Sequence, residues 1–496
     1  MNFKSGFLQE LESRGFIAQI THSQELDDLM ASEKITAYIG FDCTAKSLHV
    51  GSLIQIMILR LLQKHGHTPI ALLGGGTTKI GDPSGKDEAR QILTEEKIQQ
   101  NLDGIKNTLA QFISFDVNGG KASARLVNND DWLKNLNYIE FLRDVGKHFS
   151  VNRMLTFDSV KARLERDQPF SFLEFNYMIL QAYDFYELNN KHNCRLQIGG
   201  SDQWGNIVNG VELTRRISSA EIVKHSNLLF SNLKKENPNN QTLQEITENQ
   251  TEYFNFMSSD PSQKELQKYR DKSAIRDSQI SGDTTVDISD KSRDIMERLD
   301  KIIMNYSIVF GLTSPLLTTA DGKKMGKTAD GAVWLSSKML APFDYFQYFR
   351  NTHDADVGKF LKLFTDLSLE KIAELENLKD QEINKAKEIL AFEVTKICHG
   401  EKTAQEVLQK AREIFISKNS TAYETKEIAI GEGKKLTEII KEIGAVESNA
   451  EAKRLIEGRG VKINDQAVAD TNHIISEAGE FNLAVGKKKF FRIIVR

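Results

Sequence analysis

Apolar residues in the first two hundred positions fall in short blocks, and several blocks end at a glycine. Residues 35–41 (ITAYIGF) and 69–74 (PIALLG) are β-rich apolar runs, each leading into a Gly-containing turn. Between them, residues 53–63 (LIQIMILRLLQ) are apolar on nearly every face, which predicts a buried helix. Strand, turn, helix, strand is the opening of a parallel α/β sheet. The pattern returns at 196–206 (LQIGGSDQWGN). Ligands in such sheets sit at the carboxyl ends of the strands, so all three turns are candidate site loops.

The texture changes at about residue 219. From there to 303, stretches such as ENPNNQTLQEITENQTEY are rich in Asn, Gln, Ser, Lys and Asp, with too few apolar residues for a core. This predicts a polar insertion, disordered or loosely helical. Residues 294–306 (DIMERLDKIIMNY) could form a helix at its end. Residues 338–416 are helical by periodicity, and 417–433 read as a linker. The tail is compact: helix LTEIIKEI, helix AEAKRLIEG, the short run VKIN, then a hairpin turning at Gly486.

Composition narrows the class. The chain has 496 residues, which suits about three domains. With 40% hydrophobic and 27% charged residues it reads as a globular protein. A net charge of −4 excludes bulk attraction to nucleic acid, so any RNA contact must come from local patches. The amino terminus has the pattern of an amphipathic helix rather than a signal segment, and no apolar run is long enough to span a membrane. Cys43, Cys194 and Cys398 are far apart and give neither a metal-ligand spacing nor a disulfide framework. A reducing cytoplasm is the simplest location.

Four motifs carry chemistry. GFDCTAKSLHVGS (40–52) sets His49 where a loop enters the 53–63 helix. Free N–H groups at a helix start attract phosphate, and Gly51 lets a flat base approach the backbone. Alone, the string fits a helix cap as well. GGGTTKIGDPSGKDEAR (74–90) is not a P-loop, because Ile80 stands where the Walker pattern needs glycine and Asp87 follows Lys86. It also fails the dinucleotide fingerprint, with Lys79 at the third glycine position. Asp82 is either turn chemistry or a carboxylate suited to a substrate ammonium. In FNYMILQAYDFYEL (175–188), Tyr177, Gln181 and Asp184 share one helix face, as an internal network or a polar pocket wall. KKMGKT (323–328) offers Lys324 and Lys327 in a loop that could close over a polyphosphate or be plain surface.

Taken in order, GFDCTAKSLHVGS, GDPSGK, YMILQAYD, GGSDQWGN and ADGKKMGKTADGAVWL resemble the bacterial-type tyrosyl-tRNA synthetases, a class I aminoacyl-tRNA synthetase family. The resemblance covers 1–216 and 307–350 strongly and 351–415 more weakly, and the tail is similar to a small RNA-binding domain shared with a ribosomal protein. It implies a Rossmann-like parallel-sheet catalytic domain, then a helical domain and a small α+β RNA-binding domain. The expected parts are 1–218 and 304–345 for the catalytic domain, split by the insertion at 219–303, then 346–416 on the anticodon side and 432–496 at the tail. It implies L-tyrosine, ATP with Mg2+ and tRNA(Tyr) as substrates, a homodimer, no protein-ligated metal and no membrane.

Roles follow from the same resemblance. Tyr38 and Asp184 would bind the phenolic hydroxyl of tyrosine, and Asp82, Tyr177 and Gln181 its ammonium group. Gln203 would lie near the carboxylate, and Asp202 on the ATP ribose with Gly51, Ser52 and Gly200 around the nucleotide. His49 and Thr44 would act on the ATP phosphates, with Lys324 and Lys327 from the mobile loop and Lys86 and Arg90 as further pyrophosphate contacts. The chain departs from the family at Ser52, where a second His is usual, at Gly326 and Thr328, where serines are usual, and at Cys43, where Pro is usual and its loss would loosen the turn. In the tail, Lys487–Lys489 with Lys453, Arg454 and Arg459 could form a phosphate-binding face. Two rivals are the tryptophan enzyme of the same subclass and an RNA-binding protein with a dead catalytic core. Tyr38 with Asp184 argues against the first, and intact His49, Asp82, Lys324 and Lys327 against the second.

Overall fold

The computed structural model describes residues 2–82, 93–115, 123–166, 171–236, 297, 309–320, 322, 325–328, 331–415, 423–429, 433–464, 466–486 and 489–496. The chain forms two compact units, 1–398 and 399–496.

The first unit is built on one sheet of six strands: β1 (Gln19–Ile20), β2 (Thr36–Asp42), β3 (Thr68–Gly74), β4 (Arg125–Asn128), β5 (Cys194–Gly200) and β6 (Phe310–Ser314). Their spatial order is β1-β6-β5-β2-β3-β4. All neighbours pair in parallel except the short edge strand β1, which runs antiparallel to β6. The chain winds outward from β2 through β3 to β4, then returns beside β2 with β5 and β6. The order therefore reverses between β2 and β5, which opens a crevice beyond the carboxyl ends of those strands. β3 and β5 are buried along almost their whole length, as strands covered on both faces must be.

Two helices carry site residues to that crevice. Leu53–Lys64, predicted from its apolar run, follows a short 3₁₀ turn at Val50–Ser52 and packs against β3. Phe172–His192 is opened by a full capping box, with the Ser171 side chain on the Glu174 N–H and the Glu174 side chain reaching back. It closes at Asn193 in the left-handed region.

The helix that starts at Trp204 runs on to Glu236. The polar segment expected from 219 thus begins as the continuation of a core helix, with Leu229 buried. Glu297 aside, the remainder to residue 303, including the helix expected at 294–306, lies outside the described residues.

The periodic region after 338 forms helices at Pro342–Arg350, Val357–Phe364, Leu369–Glu376, Ile383–His399 and Glu401–Phe415. Pro342 opens the first, where its missing N–H costs no bond. Arg14, from the helix Gly6–Arg14, donates to the carbonyls of Lys362, Thr365 and Leu367 at 3.2, 3.3 and 2.9 Å. It thereby caps the end of the 357–364 helix.

In the second unit, strands Glu424–Ile428, Val461–Ile463, Gln466–Val468, Gly479–Val485 and Lys489–Val495 form one sheet. Helices Leu436–Glu442 and Asn449–Glu457 join it around a core that includes Leu436, Ile440, Ile456, Leu483 and Ile493. The hairpin expected around Gly486 is the pair Gly479–Val485 and Lys489–Val495. The supposed linker at 417–433 is different: Glu424–Ile428 pairs in parallel with Lys489–Val495. It is an edge strand with charged, exposed positions, so it lacks the apolar alternation that marks a strand in sequence.

Candidate active site

A cavity of about 670 Å³ opens at the strand crossover and is lined from the ends of β2, β3 and β5. At its deep end stand Tyr38 from β2 and Asp184 from the 172–192 helix, each 2% exposed. The Tyr38 ring leans on Phe185, with centroids 5.5 Å apart. Its hydroxyl has no hydrogen-bond partner among the described residues. Burial, with the nearby Asp184 carboxylate, pushes that phenol well above its ordinary range.

Asp184 is held by two residues the sequence reading missed. Trp132 Nε1 donates to Oδ1 at 2.8 Å and Asn129 Nδ2 to Oδ2 at 2.9 Å. The second amide hydrogen of Asn129 goes to Thr77 Oγ1 at 2.9 Å, and its oxygen accepts from Gly76 N at 2.8 Å. All of its hydrogen-bonding groups are thus used. The glycine run after β3, which fails every phosphate-loop pattern, serves here to seat the residue that fixes Asp184. Burial raises the Asp184 carboxyl to about 7, against the lowering effect of Asn129 and Trp132. Nothing local in LVNNDDW (126–132) sets Asn129 or Trp132 apart as a site residue.

Tyr177 and Gln181 line the same cavity, two turns and one turn before Asp184 respectively. The Tyr177 hydroxyl donates to Asp42 Oδ1 at 3.5 Å. Gln181 Oε1 and Gln197 Oε1 are buried acceptors with no partner among the described residues. Asp82 Oδ2 accepts from Gln203 Nε2 at 3.0 Å, and Gln203 Oε1 accepts from Asn206 Nδ2 at 3.0 Å. Asp42 and Gln197 were also missed. Both sit on strands already read as site-bearing, but one strand residue points no more plainly to a site than its neighbour.

At the other end lie Thr44, His49, Gly51, Ser52, Gly200 and Asp202. His49 caps the 3₁₀ turn: its Nδ1 accepts from Gly51 N at 3.0 Å. That bond puts the ring proton on Nε2. The downstream loop meets this turn directly. Trp334 bridges to His49, Val50 N donates to Val333 O at 2.9 Å, and Val333 N to Gly326 O at 3.1 Å. Gly326 has φ +117°, and a Cβ there would stand 2.9 Å from His49 Nδ1. Gly326 therefore permits a close approach that a side chain would obstruct. Met325 also lines the cavity.

Lys327 and Thr328 pair with Gly331–Ala332, and only their backbone is described. Lys324, Lys86 and Arg90 lie outside the described residues. The turn at Cys43 is anchored rather than loosened: Cys43 N donates to Thr78 Oγ1 at 2.9 Å, a bond proline could not make. No group of His, Cys, Asp and Glu that could hold a metal occurs among the described residues.

The crossover cavity thus runs from a buried phenol–carboxylate end to a helix-start histidine under a glycine loop. Residues 30–271 and 288–416 match the family described as tRNA synthetases class I (W and Y), and the chain belongs to that family. It is 47% identical over 504 aligned residues to a tyrosine–tRNA ligase of Wolbachia pipientis subsp. Culex pipiens, covering 100% of this chain and 99% of the relative. A tyrosine–tRNA ligase of Caulobacter vibrioides is 46% identical over 98% of this chain and 97% of its own length. Among solved structures, a C-terminally truncated mitochondrial tyrosyl-tRNA synthetase of Aspergillus nidulans superposes with a TM-score of 0.58 at 27% identity. That match covers 82% of this chain and 94% of the other.

Proposed function

We infer that this chain acts as a tyrosine–tRNA ligase: it joins L-tyrosine to ATP as tyrosyl-adenylate, releases pyrophosphate, and passes the tyrosyl group to the 3′ end of tRNA(Tyr). The observation that carries the amino-acid choice is the buried end of the cavity. There the unpartnered Tyr38 hydroxyl and the doubly held Asp184 carboxylate await one polar group on an otherwise apolar ring. A phenol supplies both a donor and an acceptor; an indole ring carries no such hydroxyl.

The remaining groups sort by charge. Asp82, Tyr177 and Gln181 suit the ammonium group, and Gln203, already bonded to Asp82, suits the neighbouring carboxylate. The tyrosine carboxylate is a nucleophile at neutral pH, so attack on the α-phosphorus needs no general base. The work is positioning the two substrates and stabilising charge on the phosphates. His49 Nε2–H is a suitable donor for that, beside Thr44 at the same end of the cavity. Lys324, Lys327, Lys86 and Arg90 are proposed to complete the cation set. Magnesium enters with ATP as part of the substrate. Asp202, Gly200, Gly51 and Ser52 are proposed to hold the nucleoside.

Helices Tyr138–Asp144, Val151–Met154 and Phe172–His192 enclose one apolar cluster with Met154, Met178 and Ile179 inside. They leave Tyr138, Ile139, Val151 and Phe172 outward, with Ile139 69% and Phe172 68% exposed. A monomer rarely leaves so much apolar surface in one region, and this supports a homodimer through that face. No described helix is long and apolar enough to cross a membrane. The substrates suit a cytoplasmic location. Tyrosine-dependent exchange of label between pyrophosphate and ATP tests the reading. Exchange with tryptophan instead, or with neither amino acid, overturns it.

A further inference from the structure

The helix Glu95–Leu109 carries no residue of the candidate site, yet one of its faces is fitted to the loop between β2 and His49. Asn101, Gly104 and Thr108, spaced to share that face, each meet it. Asn101 Nδ2 donates to the Cys43 carbonyl at 2.7 Å. Gly104 lies so close that a Cβ there would fall 2.0 Å from the Lys46 carbonyl oxygen. Thr108 Oγ1 is 3.4 Å from Ser47 Oγ, which in turn accepts from Ser336 N at 3.1 Å. With Thr78 on the Cys43 N–H, both backbone groups of Cys43 are tied, one from each side of the loop.

Asn101 is fully buried, and its Oδ1 has no hydrogen-bond partner among the described residues. A buried, unpaired amide oxygen is destabilising, and an apolar side chain of the same size would avoid it. The residue is therefore badly suited to packing alone and well suited to holding one carbonyl. What that carbonyl governs is the segment bearing Thr44 and leading to His49, both on the cavity.

We propose that Asn101 is a positioning residue for amino-acid activation: with Gly104 as its contact surface, it fixes the Cys43–Ser47 loop so that Thr44 and His49 meet the ATP phosphates. It acts through the loop and touches no substrate. The tyrosine end of the cavity is held separately, through Asn129, Trp132 and the 172–192 helix. The inference rests on the ligase reading above.

The test is pyrophosphate exchange by the full chain, each rate divided by the fraction of sites that form adenylate in a burst titration. Asn101→Leu removes the unpaired oxygen but also the donor to the Cys43 carbonyl, so folding is checked first by thermal melting. Gly104→Ala keeps Asn101 and pushes the same loop from the other side. Both variants should lose about 10- to 100-fold in kcat, the scale of a small misplacement of reacting groups. Tyrosine affinity, measured at equilibrium, should stay at the wild-type value. Wild-type kcat per active site in either folded variant overturns the proposal, as does a loss of tyrosine affinity in step with kcat. Should Asn101→Leu not fold, Gly104→Ala alone decides. Absence of tyrosine-dependent exchange in the wild type would instead sink the ligase reading.

Discussion

A carboxyl group sealed from water, with only two neutral donors, holds its proton longer than usual. Asp184 is such a group, and burial brings it from an ordinary 3.8 to about 7. Its stability linkage has a definite sign. Between pH 4 and 7 the folded chain keeps a proton that the unfolded chain has lost, so this residue's contribution falls as pH rises. The loss is on the order of 4 kcal/mol across that window. The stability difference between wild type and Asp184→Ala should therefore shrink from pH 4 to pH 7 in denaturant titrations without ligand. A difference that stays flat would contradict the buried, proton-holding carboxyl. The same residue governs selection. Above pH 7, where Asp184 is ionised, removing a hydrogen bond to it costs about 1.5–3 kcal/mol. The tyrosine-over-phenylalanine ratio of kcat/KM in exchange should then fall about 10- to 100-fold in Asp184→Ala. An unchanged ratio would remove Asp184 from the hydroxyl site.

At the scale of elements, the decisive contact is between two glycine-bearing turns more than 270 residues apart, Val50–Ser52 and the one that begins at Met325. A Cβ on Gly51 would stand 2.6 Å from His49 Cε1 and 3.1 Å from the Met325 carbonyl. Gly51→Ala must move the histidine or lift the loop. Adenylate formation followed in a single turnover should slow at least about tenfold, with tyrosine binding kept; an unchanged rate would show the contact to be incidental. Sequence made much of this legible. The apolar runs at 35–41, 69–74 and 196–206 mark strands, their glycine turns mark the crossover, and Tyr177, Gln181 and Asp184 fall on one helix face. Asn129, Trp132 and Asn101 were not legible, because each matters through a hydrogen bond to a residue at least 50 positions away. Local periodicity carries no trace of such a partner. The strand at 424–428 escaped for the opposite reason, since a solvated edge has no apolar face to display.

For the whole molecule, two surfaces lie beyond the cavity. On the first unit, the outward apolar face of the 138–172 region should hold two copies together. Ile139→Asp with Phe172→Asp places charge where each chain would bury a hydrophobe, so sedimentation should report a monomer; an unchanged mass would locate the interface elsewhere. The sheet part of the second unit, residues 423–496, has a core that among the described residues runs from Ile428 to Val495, so removing that part should leave the first unit's sheet and cavity as they are. It also presents Lys453 and Arg454, in the helix Asn449–Glu457, and Arg459 just beyond it to solvent. Nearly equal numbers of acidic residues surround them, so any attraction to RNA is local and sensitive to salt. A chain ending at residue 422 should thus exchange pyrophosphate at the full rate. It should charge tRNA with a much higher KM for tRNA, and Lys453→Ala with Arg454→Ala in the full chain should reproduce part of that rise and flatten its salt dependence. Exchange lost along with charging would mean that residues 423–496 support the catalytic fold. Charging retained at the full rate would mean that the tail does not hold the RNA.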